Sequence, residues 1–188
     1  MVLVAKPPDR SAELIAAARR LFMEKGFAHV GMREITAMAG LSPVQAYRLG
    51  LAKEDLLAEI SIQLSAEQLE TITAGFAPHA GEGLQALVER YLLKLYESDI
   101  QHISIRKESA AYGWMWSAKY ESRIITQVIA LLGPVTAAMA SHGLQDVPDR
   151  AFAVWSLYYV GYRAAVMTAA DASECLAGIK GSLAVVLK

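Results

Sequence analysis

The stretch RSAELIAAARRLFMEKGFAHVGMREITAMAGLSPVQAYRLGLAKEDLL, residues 10–57, decides the reading of this chain. Leu14, Ala17, Ala18, Leu21 and Phe22 recur at i, i+3, i+4, i+7 and i+8, which predicts one buried face of a helix over 10–25 that stops at Gly26. A second, short helix covers 32–39 and ends at Gly40, a residue suited to a left-handed cap. Ser42 starts a third helix. Its hydroxyl can accept from free amides, Pro43 suits the first helical position, and Gln45 has capping-box spacing. That helix ends near Leu49-Gly50. Two short helices joined by the tight turn Gly40-Leu41-Ser42-Pro43 are an arrangement that presents side chains to the major groove of DNA.

The charge distribution agrees with this placement. The whole chain of 188 residues has a formal net charge of −1, which does not by itself advertise nucleic acid. Residues 1–53, however, hold eight basic side chains (positions 6, 10, 19, 20, 25, 33, 48 and 53) against four acidic ones (9, 13, 24 and 34), so a basic head precedes an acidic remainder. The chain is 54% hydrophobic with a mean hydropathy of +0.29, enough to bury a substantial core and to hide apolar surface in an interface or pocket. The single cysteine, Cys175, excludes an intramolecular disulfide and any multi-cysteine metal cluster, and its helical setting reads as a buried thiol. Residues 1–5 are too short for a signal segment before Lys6-Pro7-Pro8. The run 151–170 is long enough to span a bilayer. Arg163 lies towards its middle, where insertion costs about 2.5–3.5 kcal/mol, so it reads as an interface helix of a cytoplasmic protein with no membrane partner.

Beyond the head, apolar periodicity predicts helices over 53–73, 84–98, 101–117, 119–141, 149–170 and 173–187, with 75–83 as the clearest loop and no strand pattern. The expected fold class is all-α: an N-terminal three-helix helix-turn-helix DNA-binding domain (1–52) followed by a larger helical domain for ligand binding and dimerisation (53–188).

The run Leu14-Ile15…Ala18…Leu21-Phe22…Gly26-Phe27…Met32-Arg33-Glu34-Ile35…Ala39-Gly40-Leu41-Ser42…Tyr47…Lys53-Glu54…Leu56 resembles the tetracycline-repressor (TetR) family of bacterial regulators in unbroken register. The resemblance implies a homodimer that binds a palindromic double-stranded DNA operator and releases it when a small-molecule effector enters the C-terminal domain. It makes the third helix the recognition helix, with Ser42, Pro43, Val44, Gln45, Tyr47 and Arg48 along or beside the groove. Gln45 is placed to read an adenine edge. Arg33 and Lys53 are placed to hold phosphates, which fixes register without reading sequence. Structural readings stand beside these: Gln45 as part of the helix cap, Tyr47 as core, Arg33 as a solvated charge and Lys53 as the surface start of a helix. Family members usually carry a hydroxyl residue at Gly31, glycine at Val44 and a His/Tyr-Phe pair at Leu49-Gly50. Val44 offers instead an apolar contact to a thymine methyl, and loss of an aromatic at Gly50 should loosen the packing of this small domain. These departures keep a second reading open, a dimeric scaffold or protein-interaction module with weak or no specific DNA binding.

The C-terminal body is crowded with aromatics at helical spacing, which are core by default. Tyr91, His102, Arg106, Tyr112, Trp116, Trp155 and Tyr159 are the candidates to line an effector pocket, and the composition favours an apolar or amphipathic molecule. The segments 121–141 and 149–170 are the expected dimer faces, through Ile124, Ile125, Val128, Leu131, Leu132, Phe152, Trp155, Tyr159 and Tyr162, with an internal core as the other reading. No catalytic, cofactor or metal site is read. The four histidines lack His-Glu-x-x-His spacing, there is no phosphate-cradling glycine motif or Gly-x-Ser-x-Gly elbow, and Glu108 and Glu121 fall on separate predicted helices.

Overall fold

A computed structural model describes residues 9–113 and 118–188. Among these residues the chain is helical and contains no strand. The elements are α1 (Arg10–Lys25), a 3₁₀ turn (Phe27–His29), α2 (Met32–Met38), α3 (Pro43–Leu49), α4 (Lys53–Thr73), α5 (Leu84–Gln101), α6 (Ile103–Tyr112), α7 (Ala118–Ser141), α8 (Val147–Thr168) and α9 (Ala172–Val186). They form two compact units, one of Met1–Gln63 with Ser104–Tyr120 and the other of Leu64–Ile103 with Glu121–Lys188. The boundary between the units at 63/64 falls within α4, and the first unit includes α6 from later in the sequence.

The first unit is built on α1, whose Leu14, Ala18, Leu21 and Phe22 are fully or almost fully buried. Asp9 caps this helix through the amides of Ser11 and Ala12. Phe27 of the 3₁₀ turn meets Phe22 edge-on at 5.1 Å between centroids and Tyr112 of α6 at 5.2 Å. The N-terminal half of α4 is tied in by polar contacts. Asp55 accepts from its own helix start at the Ala52 amide and from the Tyr120 hydroxyl, both at 2.8 Å. The Ser61 and Ser109 hydroxyls bond to each other where both are buried.

In the second unit, α9 packs against both α5 and α8. Tyr91, Leu92, Leu95 and Tyr96 of α5, Leu131, Val135 and Met139 of α7, Val154 and Tyr158 of α8, and Cys175, Ile179 and Leu183 of α9 share one core. Gly161 marks the tightest approach: a Cβ there would lie 2.2 Å from the Tyr96 hydroxyl and 2.8 Å from the Cys175 carbonyl. The loop after α4 is clamped by Arg90, which holds Glu82 bidentately and the Ala77 carbonyl while stacking over Phe76. The Arg90 bond pulls the Glu82 carboxyl down to about 2.

Two sequence expectations shift here. The break between the fifth and sixth helices falls at His102 rather than at Ser98-Asp99. Asp99 is no punctuation mark, because its carboxylate accepts from Gln68 at 2.8 Å and from the Tyr158 hydroxyl at 2.6 Å. The described helix that is long and apolar enough to cross a membrane, by length and composition, is α7 rather than the run 151–170, and α7 places Leu131, Val135 and Met139 in the core.

Candidate functional site

The site is built around α3, a helix almost wholly turned to solvent. Of its seven residues only Ala46 is buried. Ser42 accepts from the Gln45 amide at 3.2 Å while the Gln45 side-chain oxygen accepts from the Ser42 amide at 2.9 Å, a complete capping box. Gln45 thus has its carbonyl oxygen in the cap. The side chain remains exposed, and its amide nitrogen is the group left to donate outward. Gly50 closes the helix at φ 63°, the left-handed region that an aromatic residue rarely adopts, so glycine here supplies a helix stop as well as removing a ring. Leu49 and Leu51 on either side are half-buried.

The outward surface is unusual for a monomer in water. Tyr47 is 87% exposed and Val44 61% exposed, which sets aside the core reading of Tyr47. Ser42, Pro43 and Arg48 are exposed beside them. Much of the unit's other basic charge is neutralised locally, by Arg10–Glu13, Arg20–Glu24 and Lys25–Glu34 pairs. Arg33 and Arg48 are exposed and form no ion pair with another described residue. Lys53 is half-buried, with its ammonium 4.1 Å above the Phe27 ring, so its charge is turned onto its own unit. Gly31 begins α2 without a side-chain cap, in extended backbone and with open space around its Cα. Tyrosine, amide, valine and Arg48 on a short exposed helix, with Arg33 exposed on α2, have the chemistry of base-edge and phosphate contact.

The residues read as effector-lining have diverse surroundings. Tyr91 is fully buried and spends its hydroxyl on the Leu131 carbonyl at 2.5 Å; burial pushes the phenol up to about 12. His102 lines a cleft of about 280 Å³ with Leu64, Gln68, Thr71, Lys94 and Ser98, and its Nδ1 lies 3.2 Å from the Ser98 carbonyl. Arg106 and Tyr112 belong to the first unit: the guanidinium lies 3.5 Å from the Ser61 carbonyl, and the ring packs edge-on against Phe27. Trp155 stacks on Tyr158 at 5.4 Å, and Tyr159 is exposed. Trp116 lies outside the described residues. The sequence reading missed the Gln68–Asp99–Tyr158 network. Its signal was a glutamine on the buried stripe Leu64, Gln68, Ile72, where a polar residue needs partners.

The expected dimer residues separate by face. Ile125, Phe152 and Tyr159 are exposed, and Ile124, Val128 and Trp155 are half-buried. Leu131, Leu132 and Tyr162 are buried within the chain itself, which corrects their placement at an interface. The apolar stripes of α7 and α8 are wide enough to serve two sides, and these three fall on the inner one. Ile129, Val160 and Met167, outside the expected set, are exposed on the outer side.

Comparison with known proteins agrees with this geometry. The sequence pattern of the bacterial regulatory proteins of the tetR family matches residues 14–60. A search of curated proteins returned no match to the chain. Several solved structures share its fold. A bacterial regulatory protein in the tetR family from Rhodococcus RHA1 is 21% identical, with a TM-score of 0.64 and 96% of each chain covered. A transcriptional regulator of the TetR/AcrR family from Thermobifida fusca is 20% identical, with a TM-score of 0.64 over 96% of this chain and 98% of that one. The transcriptional regulator FadR from Bacillus subtilis, solved in complex with stearoyl-CoA, is 14% identical, with a TM-score of 0.63 over 94% and 97%. The tetR-family pattern thus covers the helix-turn-helix at residues 14–60, and the chain as a whole has the fold of these solved regulators.

Proposed function

We propose that the chain is a cytoplasmic, ligand-responsive repressor that binds a palindromic operator as a homodimer. In this reading residues 1–52 read DNA, and residues 53–188 dimerise and take a small apolar or amphipathic effector whose binding releases the operator. The observation that carries it is the outward surface of α3, where Val44, Gln45, Tyr47 and Arg48 stand exposed on a helix anchored by Ala46 alone. Ser42 and Pro43 set the start of that helix against the groove. Arg33 holds a phosphate, while Lys53 contributes to the field more than to a contact. The exposed apolar side chains of α7 and α8 support the homodimer. The similar regulator bound to stearoyl-CoA supports an amphipathic acyl effector, and the cleft at His102 is the concavity in the second unit from which to begin.

Coupling runs through α4, the helix that leaves the reader at Lys53. Asp55 and Ser61 fix the start of α4 to Tyr120 and Ser109 in the first unit, and in this reading an effector that tilts α4 changes the spacing of the two recognition helices.

Selection of genomic fragments by the purified protein, with excess competitor DNA and sequencing of the retained pool, tests the reading. Recovery of a palindromic site that a Gln45→Ala/Tyr47→Ala variant no longer retains is the expected result. Recovery of nothing above background by folded dimer, with and without acyl compounds, would instead favour the scaffold reading, for which the uncapped Gly31 end of α2 is the supporting observation.

A further inference from the structure

The outward face of α8 carries Asp149, Phe152, Ser156, Val160, Arg163 and Met167 in one strip along the helix. Phe152, Val160 and Met167 are 72%, 64% and 67% exposed. Asp149 and Arg163 are also exposed, and neither forms an ion pair with another described residue. The strip has its own symmetry about Ser156. Phe152 and Val160 stand four residues to either side, and Asp149 and Arg163 stand seven to either side. Bulky apolar groups therefore flank a small residue, with an acid beyond one and a base beyond the other.

A two-fold axis through Ser156, perpendicular to the helix, lays α8 antiparallel on its copy. Phe152 then meets the partner's Val160, and Arg163 meets the partner's Asp149, each contact occurring twice as an isologous interface requires. The small serine at the crossing lets the two backbones approach. Other registers fail on charge. A parallel pair, or an antiparallel one centred on residue 163, sets Arg163 against itself. An antiparallel pair centred on Val160 brings Arg163 opposite Leu157, leaving a desolvated cation without an anion.

We propose that α8 crosses its copy antiparallel at Ser156 and that two Asp149–Arg163 pairs between protomers set this register. The proposal rests on the homodimer reading above. Sedimentation equilibrium of the full chain tests it with wild type, Asp149→Arg, Arg163→Asp and the double exchange, each checked for native helicity by circular dichroism. The expected result is a wild-type dimer, single variants weakened about tenfold or more, and recovery in the double variant. A Ser156→Cys variant should also form an interchain disulfide on mild oxidation, since native Cys175 is buried. Single variants that dimerise like wild type, a double variant no tighter than the singles, or a Ser156→Cys dimer that does not crosslink overturns the register while leaving the homodimer standing. A monomeric wild type overturns both.

Discussion

Helices α3 and α8 both hold apolar side chains out in solvent, and they differ in what surrounds those side chains. On α3, Val44 and Tyr47 share seven residues with an exposed amide and an exposed arginine, in the basic part of the chain. On α8, Phe152, Tyr159, Val160 and Met167 extend over four turns with a single cation, Arg163, among them. An exposed apolar group therefore does not by itself identify a partner. A short, polar, positively charged surface suits the edge of a groove lined by phosphates, whereas a long strip poor in charge suits a second protein surface of the same kind.

The sharpest way to break this contrast is to charge the α8 strip. Phe152→Glu with Val160→Glu should raise the dimer dissociation constant about a hundredfold by light scattering or sedimentation, because two anchors are replaced by buried like charges. Operator affinity should fall with it, since half-sites are then bound singly. If DNA retention fell with the dimer intact, the two faces would not be separable as drawn. Next in size is the α3 surface. Tyr47→Ala and Arg48→Ala should each cost about 1–3 kcal/mol of operator binding with no change in dimer mass. In a salt titration, Arg48→Ala should also flatten the slope of log affinity against log salt by about one unit, while Tyr47→Ala leaves it unchanged.

The inner side of α8 provides a control for its outer side. Gly161→Ala places a Cβ against Tyr96 and the Cys175 carbonyl, and should lower stability by about 1–3 kcal/mol in a denaturant titration. Outer-face charges should leave that stability nearly unchanged when the monomers are compared. The smallest effect is at the reader: Gly31 sits in extended backbone with space for a side chain, so Gly31→Ser should cap α2 and raise stability by a few tenths of a kcal/mol. A gain in operator affinity larger than that gain in stability would show that the new hydroxyl also touches the backbone of the DNA.

The reader was legible because its signals are local. The Ser42-Gln45 cap, the stops at Gly40 and Gly50 and the period of Leu14, Ala18, Leu21 and Phe22 lie within a few residues of what they organise, and each appears where the sequence placed it. The body was legible as helices but not as surfaces. Leu131 and Ile125 are both apolar residues on α7, yet one supports the Tyr91 hydroxyl and the other faces outward. Likewise Tyr158 and Tyr159 are adjacent in sequence. The first is buried with its hydroxyl on Asp99, and the second is exposed. Where a helix is apolar nearly all round, periodicity no longer says which side is inside.

The sequence by itself determined the class of fold, the helix order, the helix-turn-helix and its basic setting, because caps, turn residues and apolar spacing act over one or two helical turns. Tertiary structure alone decided that α6 packs with the reader rather than with its chain neighbours, that Gln68, Asp99 and Tyr158 meet in one network, and which flank of α8 remains uncovered. Those outcomes depend on contacts between residues 31 to 85 positions apart, such as Gln68–Asp99 and Phe27–Tyr112, whose partners are selected by packing rather than by any pattern either residue carries.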